Sequence, residues 1–188
     1  MFRKAILGAL ALALLAVPAS AGDLDRTNAP RKSLQVLNDV TQQVRQYTRF
    51  TIFDDVNVGI DNGVVRLTGK VTAPFKKDDI AARVAQVAGV QQVQNDLTVL
   101  PVSPFDDELR YRIARAIYSN AAFWHYASMA YPPIHIVVES GKVTLTGVVN
   151  SNVERMLARS LATTFGAFSV KNDLKTDSEV KELLEKVS

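Results

Sequence analysis

The sequence predicts an α+β protein of two tandem αββαβ modules, each a three-stranded mixed sheet with two helices on one face, followed by a short C-terminal helix. Three observations carry this. A block of sequence recurs at a fixed spacing, each copy holds apolar alternation broken by a tight-turn signal, and each is flanked by apolar residues at helical spacing. Gly63, Val65, Leu67, Thr68, Gly69 and Val71 meet Gly141, Val143, Leu145, Thr146, Gly147 and Val149, an offset of 78 residues. Further on the offset is 77, where Gly89, Val93, Asn95, Asp96 and Leu97 meet Gly166, Val170, Asn172, Asp173 and Leu174. The copies occupy residues 33–100 and 103–176, with 177–188 as the terminal helix.

The elements follow in order. Leu37, Val40, Val44 and Tyr47 recur every three or four residues, a one-sided helix with Ser33 as a candidate N-cap. Val56, Val58 and Ile60 alternate with polar or small residues, and Asn62-Gly63 supplies the positive φ of a tight hairpin. Val65, Leu67, Gly69 and Val71 alternate on the return strand. Ile80, Val84 and Val87 mark a second helix that stops at Gly89, and 93–100 is the last strand. A right-handed strand–helix–strand step then makes the last pairing parallel. The second copy repeats the pattern, with Ser151 and Glu154 as a capping box. Gly69 and Gly147 take inward positions, which suggests a helix crossing the sheet closely there. Val180, Leu183, Leu184 and Val187 form one apolar stripe behind Ser178.

The N-terminus points to export. Arg3 and Lys4 precede an apolar run over 5–17, Pro18 breaks it, and Ala19-Ser20-Ala21 has the small-x-small form of a cleavage site. Residues 1–21 therefore read as a signal peptide, too short to span a bilayer, which takes about 20 apolar residues. The expected location is the periplasm, with secretion or peripheral membrane association as variants. No cysteine occurs, which excludes disulfides, thiol chemistry and a lipid-modified cysteine. Without Arg3 and Lys4, the 22 basic residues become 20 against 19 acidic ones, so no global field draws in nucleic acid.

The strand, Asn/Ser-Gly turn, Val-x-Leu-x-Gly-x-Val and closing Val-x-Asn-x-Leu pattern resembles the BON domain, the bacterial osmotic-stress and nodulation module, in a two-copy OsmY-like arrangement. Residues 64–71, Gly89-Val90 and Val93-x-Asn95-Asp96-Leu97 carry the likeness in the first copy. Gly166-Ala167 departs mildly from the usual Gly-Val in the second. The resemblance implies an exported, non-enzymatic module that associates with phospholipid or envelope partners and supports envelope integrity or osmotic-stress tolerance. The alternative it leaves open is a periplasmic chaperone or adaptor for stressed client proteins. Its motif residues are structural, so no catalytic position carries over.

The residues themselves offer little chemistry. His135 is expected to point outward on a strand, with Glu139 about 13 Å along it, too far for a base–orienter pair. Asp54-Asp55, Asp78-Asp79 and Asp106-Asp107 fall at turns or helix starts, where negative charge suits the free amides. No catalytic residue, metal site or cofactor is expected. A binding surface is more legible. Opposite the core stripe of the second copy's first helix stand Tyr111, Arg115 and Tyr118, flanked by Arg110 and Arg112, and an aromatic loop with Phe123, Trp124 and Tyr126 follows. Arginine forks pair with phosphate oxygens, and aromatic rings suit the bilayer headgroup level. These eight residues are the candidate lipid or partner surface. The same aromatics could instead fill an interface between the modules, or receive the C-terminal helix.

Overall fold

The computed structural model describes residues 29–163 and 165–187; the expected signal segment, 1–21, lies outside them. It is an α+β structure with two mixed sheets. The first module runs α1 (Ala29–Arg45), β1 (Asp55–Asp61), β2 (Val64–Val71), α2 (Pro74–Val84) and β3 (Gln92–Val99). The second runs α3 (Pro104–Tyr118), a short helix α4 (Trp124–Ala127), β4 (Ile134–Glu139), β5 (Lys142–Val149), α5 (Asn152–Thr163), β6 (Ser169–Asn172) and β7 (Lys175–Thr176), and α6 (Asp177–Val187) follows. In each sheet the hairpin is antiparallel and its second strand pairs in parallel with the strands after the helix.

Asn62 and Gly63, like Ser140 and Gly141, hold the positive φ that a two-residue hairpin turn requires. Val40 and Val44 of α1, and Tyr47, which falls just past the helix end rather than in it, pack with Val65, Leu67, Val71, Ile80, Val84 and Leu97 into one core. Ile113, Ile117, Ile134, Ile136, Leu145, Ala158 and Ala162 belong to the other. Leaving water is worth about 1.5–3 kcal/mol for each large apolar side chain, and this drives each module to close on its own sheet.

Three local expectations need correcting. The first described helix is already under way at Ala29, so Ser33 is inside it and not its cap. Gly69 and Gly147 answer to backbone rather than to a crossing helix: at φ of 121° and 114°, a Cβ would lie 2.2 Å from the Asp55 carbonyl oxygen and 1.8 Å from that of Pro133. The capping box is half-formed. Ser151 Oγ accepts from the Glu154 N–H, but the Glu154 carboxylate turns to the Asn150 N–H (2.9 Å) and to the Tyr126 hydroxyl (2.7 Å).

The most connected polar group is Asp54, fully buried between α1 and β1. Its carboxylate accepts from the N–H and hydroxyl of Thr51 (2.8 Å each), from the N–H (2.8 Å) and hydroxyl (2.9 Å) of Thr72, and from Lys76 Nζ (2.6 Å). Lys76 is itself buried, and it also donates to Thr72 Oγ1. A buried charge pair is tolerable only when every lone pair finds a donor, and this one does. Asp54→Ala should therefore cost about 3–5 kcal/mol in urea unfolding, because it strands the Lys76 ammonium. Asp96→Ala, which breaks the exposed Arg66–Asp96 pair, should cost about 1 kcal/mol or less in the same assay.

Candidate functional site

The eight residues of the predicted surface divide by burial. Phe123 and Tyr126 are removed from it: both rings sit in the second core, stacked on each other at 6.2 Å between centroids. The Tyr126 hydroxyl also accepts from the Asn150 N–H, and burial, then its bond to Glu154, raise its pKa. Arg110 is removed as well. It is buried, pairs with Asp107, and donates to the Val138 carbonyl (2.7 Å). Tyr118 is half-buried and donates to the Ile134 carbonyl (2.6 Å), and burial holds its pKa well above the usual phenol range. Helical periodicity placed Tyr118 opposite the apolar stripe and Arg110 on its flank; both instead reach sideways over the edge of β4.

Tyr111, Arg112, Arg115 and Trp124 remain exposed. Trp124 is 76% exposed although it lies between Phe123 and Tyr126 in a segment where His125 also meets Asn150. The buried neighbours anchor the short helix, so its indole is held outward rather than left loose. Arg112 pairs with Glu108 at the surface, and Arg115 makes no ion pair among the described residues.

Tyr111 leads to the junction between the modules. Residues 50–55 wrap the free edge of β4 like a clasp. On the helix side the Phe53 ring meets Tyr111 edge-on at 5.2 Å. At the edge the Ile52 carbonyl accepts from the Ile136 N–H (2.7 Å). On the helix-free face Phe50 packs on His135 (5.3 Å between centroids), and Asp55 accepts from the Thr146 hydroxyl (2.8 Å). Lys70 and Glu139 add an ion pair. The sequence reading of His135 is corrected in part: it leaves its own sheet but is covered by the first module. Burial lowers its pKa, partly offset by the Asp54 and Thr51 backbone and by the charges of Asp55 and Asp54, and its Nδ1 is buried without a partner among the described residues.

Beside the clasp lies a cleft of about 970 Å³. Its walls are the C-terminal end of α1, β1 from Asp55 to Val58, the 129–133 loop, the outer side of β5 and the start of α6. The size is that of a ligand site rather than of a packing void. Among the described residues no group of three or more His, Cys, Asp or Glu could hold a metal ion, and no helix is long and apolar enough to cross a membrane.

A family model described as BON domain matches the chain twice, over residues 37–101 and 106–178. No curated protein matches the chain. Among solved structures the chain is similar to CdsD, a structural protein of the type III secretion system of Chlamydia trachomatis, at 15% identity over 80% of this chain and 97% of that one, with a TM-score of 0.28. A structure of the C-terminal domain of CdsD gives 13% identity over 75% and 96%, also at 0.28. Scores this low carry no argument about arrangement or role.

The junction should respond to pH through His135. Its native pKa lies below the unfolded value of 6.5, so the unfolded chain binds the proton first. Stability is then retained above pH 6.5 and falls as the pH drops below it. Melting temperatures between pH 7.5 and 5.5 (about one unit either side of the unfolded value) should show this loss, and His135→Phe should flatten it while leaving the acid response of the carboxylates.

Proposed function

From the chain's membership of the BON domain family, we propose that it is an exported, non-enzymatic binding protein that docks on phospholipid, or on an envelope partner presenting phosphate, and supports envelope integrity or osmotic-stress tolerance. The observation that carries this is Trp124, held outward by its own buried neighbours and accompanied by the exposed Tyr111, Arg112 and Arg115 of α3. An indole fixed at the surface has the geometry of an interfacial anchor, and Arg115 is a guanidinium available for a phosphate. The signal-like N-terminus supports a periplasmic location.

A second reading is favoured by other exposed apolar groups. Phe105 and Phe168 stack with both rings largely in solvent, and Val153 and Met156 stand one turn apart on the outside of α5. Such patches suit a chaperone or adaptor that shields client proteins.

Vesicles separate the two. With anionic vesicles at low salt, Trp124 emission should shift to the blue and the protein should co-sediment; salt should reverse both. Trp124→Ala with Arg115→Ala should weaken partitioning about tenfold, as expected for one anchor and one phosphate contact, without lowering the melting temperature. Absence of the shift and of co-sedimentation, together with slowed aggregation of unrelated clients, would move the assignment to the chaperone reading.

A further inference from the structure

The helices that follow the two hairpins, α2 and α5, hold the same place in each module but show different outer sides. Each turns a core stripe inward, Ile80 and Val84 in α2, Ala158 and Ala162 in α5. At the offset of 77 residues, Asp78, Asp79 and Ala82 of α2 stand where Arg155, Met156 and Arg159 stand in α5. The outer side of α2 is acidic, and Asp79 serves its own module by accepting from the Tyr47 hydroxyl (2.5 Å). The outer side of α5 is apolar and cationic. Val153 is 75% exposed and Met156 71%, although apolar side chains left in water gain the fold nothing.

Beside Met156 runs an open groove of about 770 Å³, lined by Arg155, Met156, Arg159, Ser160, Thr163 and Asn172. None of these is a carboxylate. The Asn172 amide donates to the Arg155 carbonyl (2.8 Å) and the Thr163 hydroxyl to the Arg159 carbonyl (2.8 Å), which seats β6 against the helix. The two guanidiniums stand one turn apart. Arg155 is matched by Glu179, at 2.9 and 3.1 Å, whereas Arg159 makes no ion pair among the described residues. The groove's unmatched charge is therefore one guanidinium, that of Arg159.

This surface adjoins the one that carries Trp124. The Asn150 N–H is held by the Tyr126 hydroxyl and by Glu154, and His125 meets the Asn150 amide, so α4 is tied to the first turn of α5. α3 packs beside α5, and both helices cover the same core, so their outward sides form one surface. A helix that bares apolar and arginine side chains together has the form of an interfacial helix, whose apolar groups enter the bilayer while guanidiniums bond phosphate. A free anion would leave Val153 and Met156 in water; a membrane would not. We infer that the α5 groove receives the phosphate of an anionic phospholipid at Arg159, with Val153 and Met156 entering the bilayer beside it. The inference rests on the phospholipid reading above and adds to Trp124 a second contact that is tested separately.

The chain has no cysteine, so Met156→Cys and Ala82→Cys each accept a single environment-sensitive dye. Ala82 is exposed and marks the place of Arg159 on α2. With phosphatidylglycerol vesicles the dye at 156 should shift to the blue, and the dye at 82 should not. In the unlabelled chain Arg159→Glu should weaken partitioning about tenfold or more, and Arg159→Lys about threefold or less. Val153→Ser with Met156→Ser should weaken it about tenfold, and none of these changes should lower the melting temperature. Phosphatidylcholine vesicles, which carry the phosphate without net charge, should bind about tenfold more weakly. A shift at 156 that survives Trp124→Ala with Arg115→Ala upholds the inference without the first contact. A blue shift of Trp124 with a silent dye at 156 overturns the inference and leaves the Trp124 reading standing. Shifts at both 156 and 82, or partitioning that ignores Arg159→Glu, also overturn it, and absence of any vesicle binding overturns both.

Discussion

The arrangement of the two modules depends on one buried carboxylate. Asp54 gathers two donors from Thr51, two from Thr72 and the Lys76 ammonium, and so fixes the loop between α1 and β1 in a single shape. That loop is the clasp: Phe50, Ile52, Phe53 and Asp55 can reach three sides of β4 only because Asp54 points the other way, into its own module. The second module solves the same local problem with different chemistry. At the position matching Thr72, the Asn150 N–H is taken by the Tyr126 hydroxyl and Glu154. Each module is thus internally satisfied, and only the first projects a loop outward.

The polar partners of β4's edge serve a purpose beyond local satisfaction. An unpaired strand edge invites pairing with any extended chain, and proteins ordinarily cover such edges. Here Tyr118, Ile52 and Arg110 cover β4, and burial of Tyr118 raises its pKa, so its hydroxyl stays protonated and donating across the physiological range. β1 has no such cover among the described residues. Two of the three contacts trace to substitutions between the copies of one helix, leucine for arginine and arginine for tyrosine, and the third, Ile52, comes from the other module.

Much of the fold was legible because the repeat doubles the signal. Asn62-Gly63 and Ser140-Gly141 marked turns, alternation marked strands, and the paired glycines marked a constraint, though its cause was backbone geometry that no periodicity reports. The site was less legible for a consistent reason. Helical spacing tells which way a side chain leaves the axis, not how far a long one then travels. Arg110 and Tyr118 were read as outward and instead reach sideways to carbonyls on β4. Asp54 was read as a turn acid, since nothing in the sequence near it announces Lys76, 22 residues away. Phe123, Trp124 and Tyr126 look alike in sequence, yet only Trp124 is outside. His135 was placed correctly relative to its own sheet, but the first module covers that face.

The clasp also bears on how many modules can be chained together. Its two sides are different surfaces, a loop on one module and a strand edge on the next, and a joint of that kind can be repeated indefinitely into an open array. In the second module the positions matching Asp54 and Asp55 are Pro132 and Pro133, which can neither anchor a loop through a carboxylate nor offer one to a neighbour. The second copy therefore receives a joint without extending one. The two copies thus differ at the two positions on which the joint rests.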